Sequence, residues 1–255
     1  MKNRSTCRFD LIQHLVWRDF TLCYKRSVLG ILWSLLPPLS QLLVLVFLFR
    51  KVVPLNIEGY PAFVFTALLP WIWFSTCLNT AGGLFIYNRD LLRRPHFEPF
   101  NLIVVNTLAN LINYLIFLPV LFLIIVFYGR PVTLSLVIVP LLLLIQGTLT
   151  AGLSMIIATL NVFYRDIQHL TNVALMLLFY LIPVFYQSET VGEKYRLLYS
   201  LNPLAVLIQD YRAVFFHGVV PHWTSLTFTM VAASLIFGLG YFIYDRKLSD
   251  MIDAI

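Results

Sequence analysis

A chain of 255 residues in which 60% of the side chains are hydrophobic and only 12% charged carries about half the charged fraction of an average soluble domain. Its net charge of +6 is accounted for by anionic lipid headgroups and gives no reason to invoke nucleic acid. The three cysteines (Cys7, Cys23 and Cys77) form no CxxC pair and no even framework, which speaks against a structural disulfide or a cysteine metal site.

The positions of Asp, Glu, Lys and Arg divide the chain into uncharged windows at 27–49, 59–88, 99–129, 131–164, 167–188 and 213–244. Each exceeds the roughly 20 apolar residues needed to cross about 30 Å of hydrocarbon. The windows are apolar on every side, unlike barrel strands, and lipid offers no partners to backbone amides, so they are read as helices. The predicted fold is an all-α integral membrane protein with six transmembrane helices, at about 30–50, 60–86, 100–128, 134–162, 167–187 and 223–244.

Ahead of the first span, residues 1–28 read as an amphipathic interfacial helix, with Phe9, Ile12, Val16, Phe20 and Cys23 on one third of the wheel. Six Lys/Arg in the first 26 residues and no continuous apolar core do not make a cleavable signal peptide. Span one contains Pro37-Pro38, a candidate bend; Pro70, Pro119, Pro140 and Pro183 fall one each in spans two to five.

The loop from Tyr87 to Phe100 (YNRDLLRRPHFEPF) is equally compatible with a solvated turn and with a short helix offered to a soluble partner. Residues 189–217 read as two short re-entrant helices between spans five and six. Val191, Tyr195 and Leu198 share one face, and Asn202-Pro203 supplies an N-cap and a first-turn proline.

Six spans place both termini on one side. With the termini inside, Lys2, Arg4, Arg8, Arg18, Lys25, Arg26, Arg89, Arg93, Arg94, Arg165, Arg246 and Lys247 are cytoplasmic. Only Arg50, Lys51, Arg130, Lys194, Arg196 and Arg212 lie outside. The positive-inside rule selects this orientation.

No ionisable residue lies in the middle of a predicted span, which argues against ion-coupled transport and against buried catalysis. The five histidines (His14, His96, His169, His217 and His222) are scattered near span ends, and no metal site is expected. The chain lacks GxxxxGKS/T, so any ATP that drives it must bind elsewhere. Aromatic residues make up 15% of the chain. Most suit interface anchors, while some, with Trp33, Trp71, Trp73 and Tyr180 as candidates, could line a channel for sugar rings.

The run WRDFTLCYKRSVLGILWSLLPPL (17–39) resembles the amino-terminal signature of ABC-2 type permeases that export cell-surface polysaccharides. LNVFYRDIQHL (160–170), which contains Asn161, Arg165 and Asp166, resembles that family's second signature, and Asn202-Pro203 its third. The resemblance covers essentially the whole chain and is greatest to the branch exporting lipid-linked O-antigen or teichoic-acid-type polymers. It implies a homodimer in the cytoplasmic (inner) membrane, each copy docking one ATP-binding cassette subunit that holds ATP and Mg²⁺. It further implies a coupling helix in 88–98 with Arg89, Asp90, Arg93 and Arg94, and gate helices in 189–217. Arg18 and Asp19 would join the interfacial helix to the cytoplasmic entrance, with Lys25, Arg26, Ser27 and Gly30 near the lipid phosphates. The chain itself would be no enzyme and bind no cofactor. The rival readings are an ABC-2 permease for a small lipid or drug, and a membrane-embedded polyprenyl-linked glycan transferase.

Overall fold

The computed structural model describes residues 12–18, 21, 32–94, 97–188 and 192–254. Asp19, Lys25, Arg26, Ser27 and Gly30 lie outside the described residues, and so does the side chain of Trp33. Among the described residues every regular element is helical. Residues 12–18 form α1, followed by α2 (Leu32–Phe47), α3 (Tyr60–Tyr87), the single turn α4 (Arg89–Leu92), α5 (Phe100–Phe127) and α6 (Val139–Phe163). Next come α7 (Asp166–Leu181), α8 (Glu193–Leu201), α9 (Pro203–Arg212) and α10 (Trp223–Ala254). Among the described residues, five helical stretches are long and apolar enough to cross a membrane: Leu35–Val52, Tyr60–Tyr87, Phe100–Phe127, Leu134–Phe163 and Trp223–Ala254.

The hub is α3. It is buried almost all round and touches α2, α5, α6, α7 and α9. Its Pro70 sits inside the helix, and the buried Gln146 of α6 donates to the Pro70 carbonyl at 2.8 Å. The tightest seam joins α6 to α10. A Cβ built on Gly152 would stand 2.7 Å from backbone atoms of Phe237, and one on Gly240 would collide with the Gly152 carbonyl oxygen. Glycine is the only residue that lets these two helix backbones approach so closely.

Not every proline lies within a helix. Pro140 occupies the first turn of α6, where its missing N–H costs nothing. Pro183 follows the end of α7, because Ile182 ahead of it is extended (ψ 143°) as a residue preceding proline must be. The expected fifth span to residue 187 therefore ends as a helix at Leu181, and α7 has only 16 residues. In the other direction, α10 runs past the last uncharged window to Ala254. There the fully buried Met251 joins a cluster with Phe85, Leu92 and Tyr244.

Two features order the end of the bundle remote from α4. Gly59 takes φ 68° just before α3. Arg130 donates to the Glu58 carbonyl and lies 4.2 Å over the Phe216 ring. At the N-terminus of α9, the Asn202 side chain accepts from Leu204 N at 3.0 Å and Ala205 N at 3.4 Å. Pro203 forms the first turn.

Candidate functional site

The spans are apolar, but one flank of the bundle is not. Along α3, Trp71, Ser75 and Asn79 recur every fourth residue; along α7, Gln168, Asn172, Met176 and Tyr180 do the same. Four-residue steps stack side chains on one helix face, and α3 and α7 pack together. The two stripes meet in a groove that Gln41 of α2 closes from the side. This half has a volume of about 600 Å³ and is bordered by Trp71 and Tyr180. A second half of about 750 Å³ shares Asn79 and continues to Tyr87, Asn88, Asn161 and Arg165. Asn79, Asn172 and Tyr180 are exposed on this flank.

The groove's wall is a hydrogen-bonded lattice. Gln168 Nε2 donates to the Asn79 carbonyl at 3.0 Å and to Asn172 Oδ1 at 3.2 Å. Asn161, buried at the end of α6, fixes the corner of three helices. Its Nδ2 donates to the Gly82 carbonyl of α3 at 2.7 Å, and its Oδ1 accepts from Gln168 N in the first turn of α7 at 3.0 Å. That amide has no partner within its own helix, so Asn161 caps α7 from a neighbouring element. Gly82 leaves the space that Gln168 fills. Its signature neighbours Arg165 and Asp166 are exposed beside it, and Arg165 borders the groove.

At the other end of the groove the wall becomes aromatic. Trp71 and Phe179 lie 5.6 Å apart between ring centroids, and Phe179 and Tyr180 5.4 Å. The structure thus brings Trp71 and Tyr180 together. Trp73 is not with them. It is buried between α3 and α5, donates to the Thr107 carbonyl at 3.2 Å and packs on Tyr114. Being two residues from Trp71 on a helix, it faces away from this groove.

Arg89, Asp90, Arg93 and Arg94 are all exposed on and after α4. The turn is held by its apolar side: Leu92 is buried in the cluster with Phe85 and Met251, and Leu91 packs with Leu15, Val16 and Val105. This end therefore presents a charged rim on a fixed apolar base, with α1 lodged alongside. Arg18, at the end of α1, is exposed.

Sequence reasoning counted Arg212 among the charges of the outer segments, and the structure shows it buried rather than solvated. Arg212 and Asp210 are each only 5% exposed, because α9 packs against α3, α6 and α10. Arg212 donates to the carbonyls of Pro183 at 2.7 Å and Val184 at 3.0 Å, and its guanidinium lies 3.7 Å over the Phe63 ring. Asp210 Oδ1 accepts from Ser225 Oγ of α10 at 2.8 Å. Burial pushes the Asp210 carboxyl up to about 6, against the Ser225 hydrogen bond and the nearby His222, which lower it.

Among the described residues no group of three or more His, Cys, Asp or Glu could hold a metal ion. What the flank offers is a long row of amide, hydroxyl and aromatic groups, suited to hydrogen-bonding and stacking on a polar, uncharged chain.

A family model for the ABC-2 type transporter matches residues 10–216. The chain belongs to the ABC-2 type transporter family. As an ABC-2 permease it is a transport component of the membrane. Curated relatives match it nearly end to end. It is 33% identical over 247 residues to the O-antigen export system permease protein RfbA of Myxococcus xanthus, covering 96% of this chain and 95% of the relative. To the protein of that name from Klebsiella pneumoniae it is 31% identical over 249 residues, covering 94% and 96%. The polysialic acid transport protein KpsM of Escherichia coli is 22% identical over 249 residues, covering 95% of both.

Proposed function

We propose that this chain is the permease subunit of an ATP-driven exporter moving a lipid-linked, O-antigen-like polysaccharide across the cytoplasmic membrane. The observation that carries the reading is the groove along α3 and α7. Exposed amides at membrane depth are costly against lipid but match the hydroxyls of a glycan, and the exposed Tyr180 offers an aromatic face to sugar rings, with the largely buried Trp71 at the groove's border. The near full-length similarity to O-antigen export permeases supports the same substrate class.

On this reading the chain has six spans with both termini cytoplasmic, and α7 is the fifth. Sixteen helical residues cover about 24 Å, and the extended residues that follow make up the rest of the roughly 30 Å of hydrocarbon. Between spans five and six, α8 and α9 re-enter from the outer face as gate helices, broken at Asn202-Pro203. The open side of the groove and the exposed apolar face of α2 are covered by a second copy, so that two grooves enclose one conduit. Each copy docks one ATP-binding cassette subunit through Arg89, Asp90, Arg93 and Arg94, and ATP and Mg²⁺ bind on that subunit. Arg18 and Asp19 join the interfacial helix to the cytoplasmic entrance, and Lys25, Arg26, Ser27 and Gly30 lie near the entry of the lipid's phosphates. This chain does no covalent chemistry: it orients the polymer and opens, while hydrolysis elsewhere sets direction.

Deleting the chain should remove surface polysaccharide while the lipid-linked polymer accumulates inside, and plasmid-borne wild type should restore it. Unchanged surface polymer would overturn the reading. Glycan transfer by the purified chain without any ATPase would favour a membrane-embedded transferase instead.

A further inference from the structure

The end of the bundle that holds α9 contains a second polar cavity, of about 370 Å³, which the groove does not account for. Asp210, Gln209, His217, His222 and Gln187 are among its lining residues. Its size lies at the lower end of the roughly 300–1,000 Å³ of small-ligand pockets.

The partners of Asp210 are incomplete. Ser225 satisfies Oδ1, but Oδ2 is enclosed with no hydrogen-bond partner. An unmet buried acceptor costs about 1–3 kcal/mol, more when charged. Tying α9 to α10 through Ser225 needs no carboxylate, since an amide oxygen accepts equally well. Arg212, two residues on, is engaged by two carbonyls and the Phe63 ring, so its role is to fix the chain after α7. Asp210 is itself one of the residues that line the cavity.

We infer that this cavity binds a neutral, hydroxyl-rich unit, a sugar residue, with Asp210 accepting from its hydroxyls. A carboxylate and amide oxygens accept, while imidazole and amide N–H groups donate, which matches vicinal hydroxyls. An anion would meet Asp210. A cation would meet Arg212 and find no second acid among the described lining residues. The choice of a sugar over another polyol rests on the export reading. The position, beside the chain segment that Arg212 ties to the end of α7, suits a polymer leaving the groove.

The test uses the full chain in nanodiscs with Ser188→Cys, at the cavity, and Lys194→Cys, exposed on α8 outside it. Labelling by a hydrophilic maleimide is timed with methyl glycosides of common hexoses, and the native cysteines' background is subtracted. At ten times Kd, occupancy slows labelling by about tenfold. At least one glycoside should slow Ser188→Cys but not Lys194→Cys. Asp210→Asn, which keeps an acceptor for Ser225, should reduce the protection at least fivefold, and Gln209→Ala should weaken it too if Asp210→Asn fails to fold. No protection, equal protection at both positions, or protection indifferent to these substitutions would overturn the inference. Protection persisting where deletion leaves surface polymer unchanged would instead remove the export reading and keep the site.

Discussion

The seam between α6 and α10 gives the sharpest stability test. In Gly152→Ala the new Cβ stands 2.7 Å from Phe237 Cα and N, about 1 Å inside an ordinary carbon contact of roughly 3.5–4.0 Å. The obstacle is backbone, so no side chain can rotate away and the helices must separate. A gap of 0.5–1 Å forfeits about a quarter to a half of each dispersion contact across it, and overpacking of this kind costs about 1–3 kcal/mol. The control is Gly238→Ala on the same α10, where a Cβ meets nothing within 4 Å and alanine gains up to about 1 kcal/mol of helix preference. The two variants should differ by about 2–3 kcal/mol, or roughly 5–10 °C in Tm for a chain of this size. Monodisperse elution after heating in detergent measures it. If Gly152→Ala melts at or above Gly238→Ala, the close crossing is wrong.

Asn161→Ala removes the bonds to Gly82 and Gln168 and uncaps α7, so it should cost about 2–3 kcal/mol; a Tm within 1–2 °C of wild type, below about 1 kcal/mol, would refute the bridging role. Tyr180→Ala should lower polysaccharide export more than stability, whereas Trp73→Leu, in the core, should lower Tm first. Equal ratios of export to folded protein for the two would deny the groove a special role. Asp90→Ala with Arg93→Ala should reduce co-purification of the ATPase without reducing membrane insertion, and unchanged co-purification and transport would count against coupling through α4. Asp210 has a raised carboxyl pKa of about 6 in the fold, against an ordinary 3.8. The folded state therefore holds this proton more tightly, and the stability it contributes is full below about pH 4 and lost as pH rises through 6. The Tm of wild type relative to Asp210→Asn should fall between about pH 5 and pH 7, and a difference indifferent to pH would refute the burial of that carboxyl.

The long helices were legible because lipid imposes one rule, the absence of charge over about 20 residues, and charges are easy to see. The start of α9 was equally plain, since Asn-Pro combines a side-chain acceptor with a residue that tolerates the first turn. The same rule misplaced Arg212. A charge count assigns every arginine to water, yet two backbone carbonyls and an aromatic face hold this one inside. The amide stripe was overlooked for a related reason. Asn and Gln do not interrupt an uncharged window, so Ser75, Asn79, Gln168 and Asn172 passed as parts of apolar spans. Their four-residue spacing was the available signal. Trp71 and Trp73 were indistinguishable by composition and separate only once helical register assigns them to opposite sides.

That stripe bears on what the chain can do alone. Asn79 and Asn172 are exposed amides on helices of largely apolar composition, and polar groups left unmet in hydrocarbon cost several kcal/mol each. The lattice through Gln168 satisfies part of this demand from within. The rest calls for water, a glycan or another protein surface. Gln41 places α2 on the same flank, and Leu35–Val52 is the least buried of the five long helices. The side that needs a polar lining and the side with unspent apolar surface thus adjoin, and one neighbour can cover both. Two copies meeting there would enclose the amides in water and hide the apolar face of α2, and the single chain would then be half of a conduit.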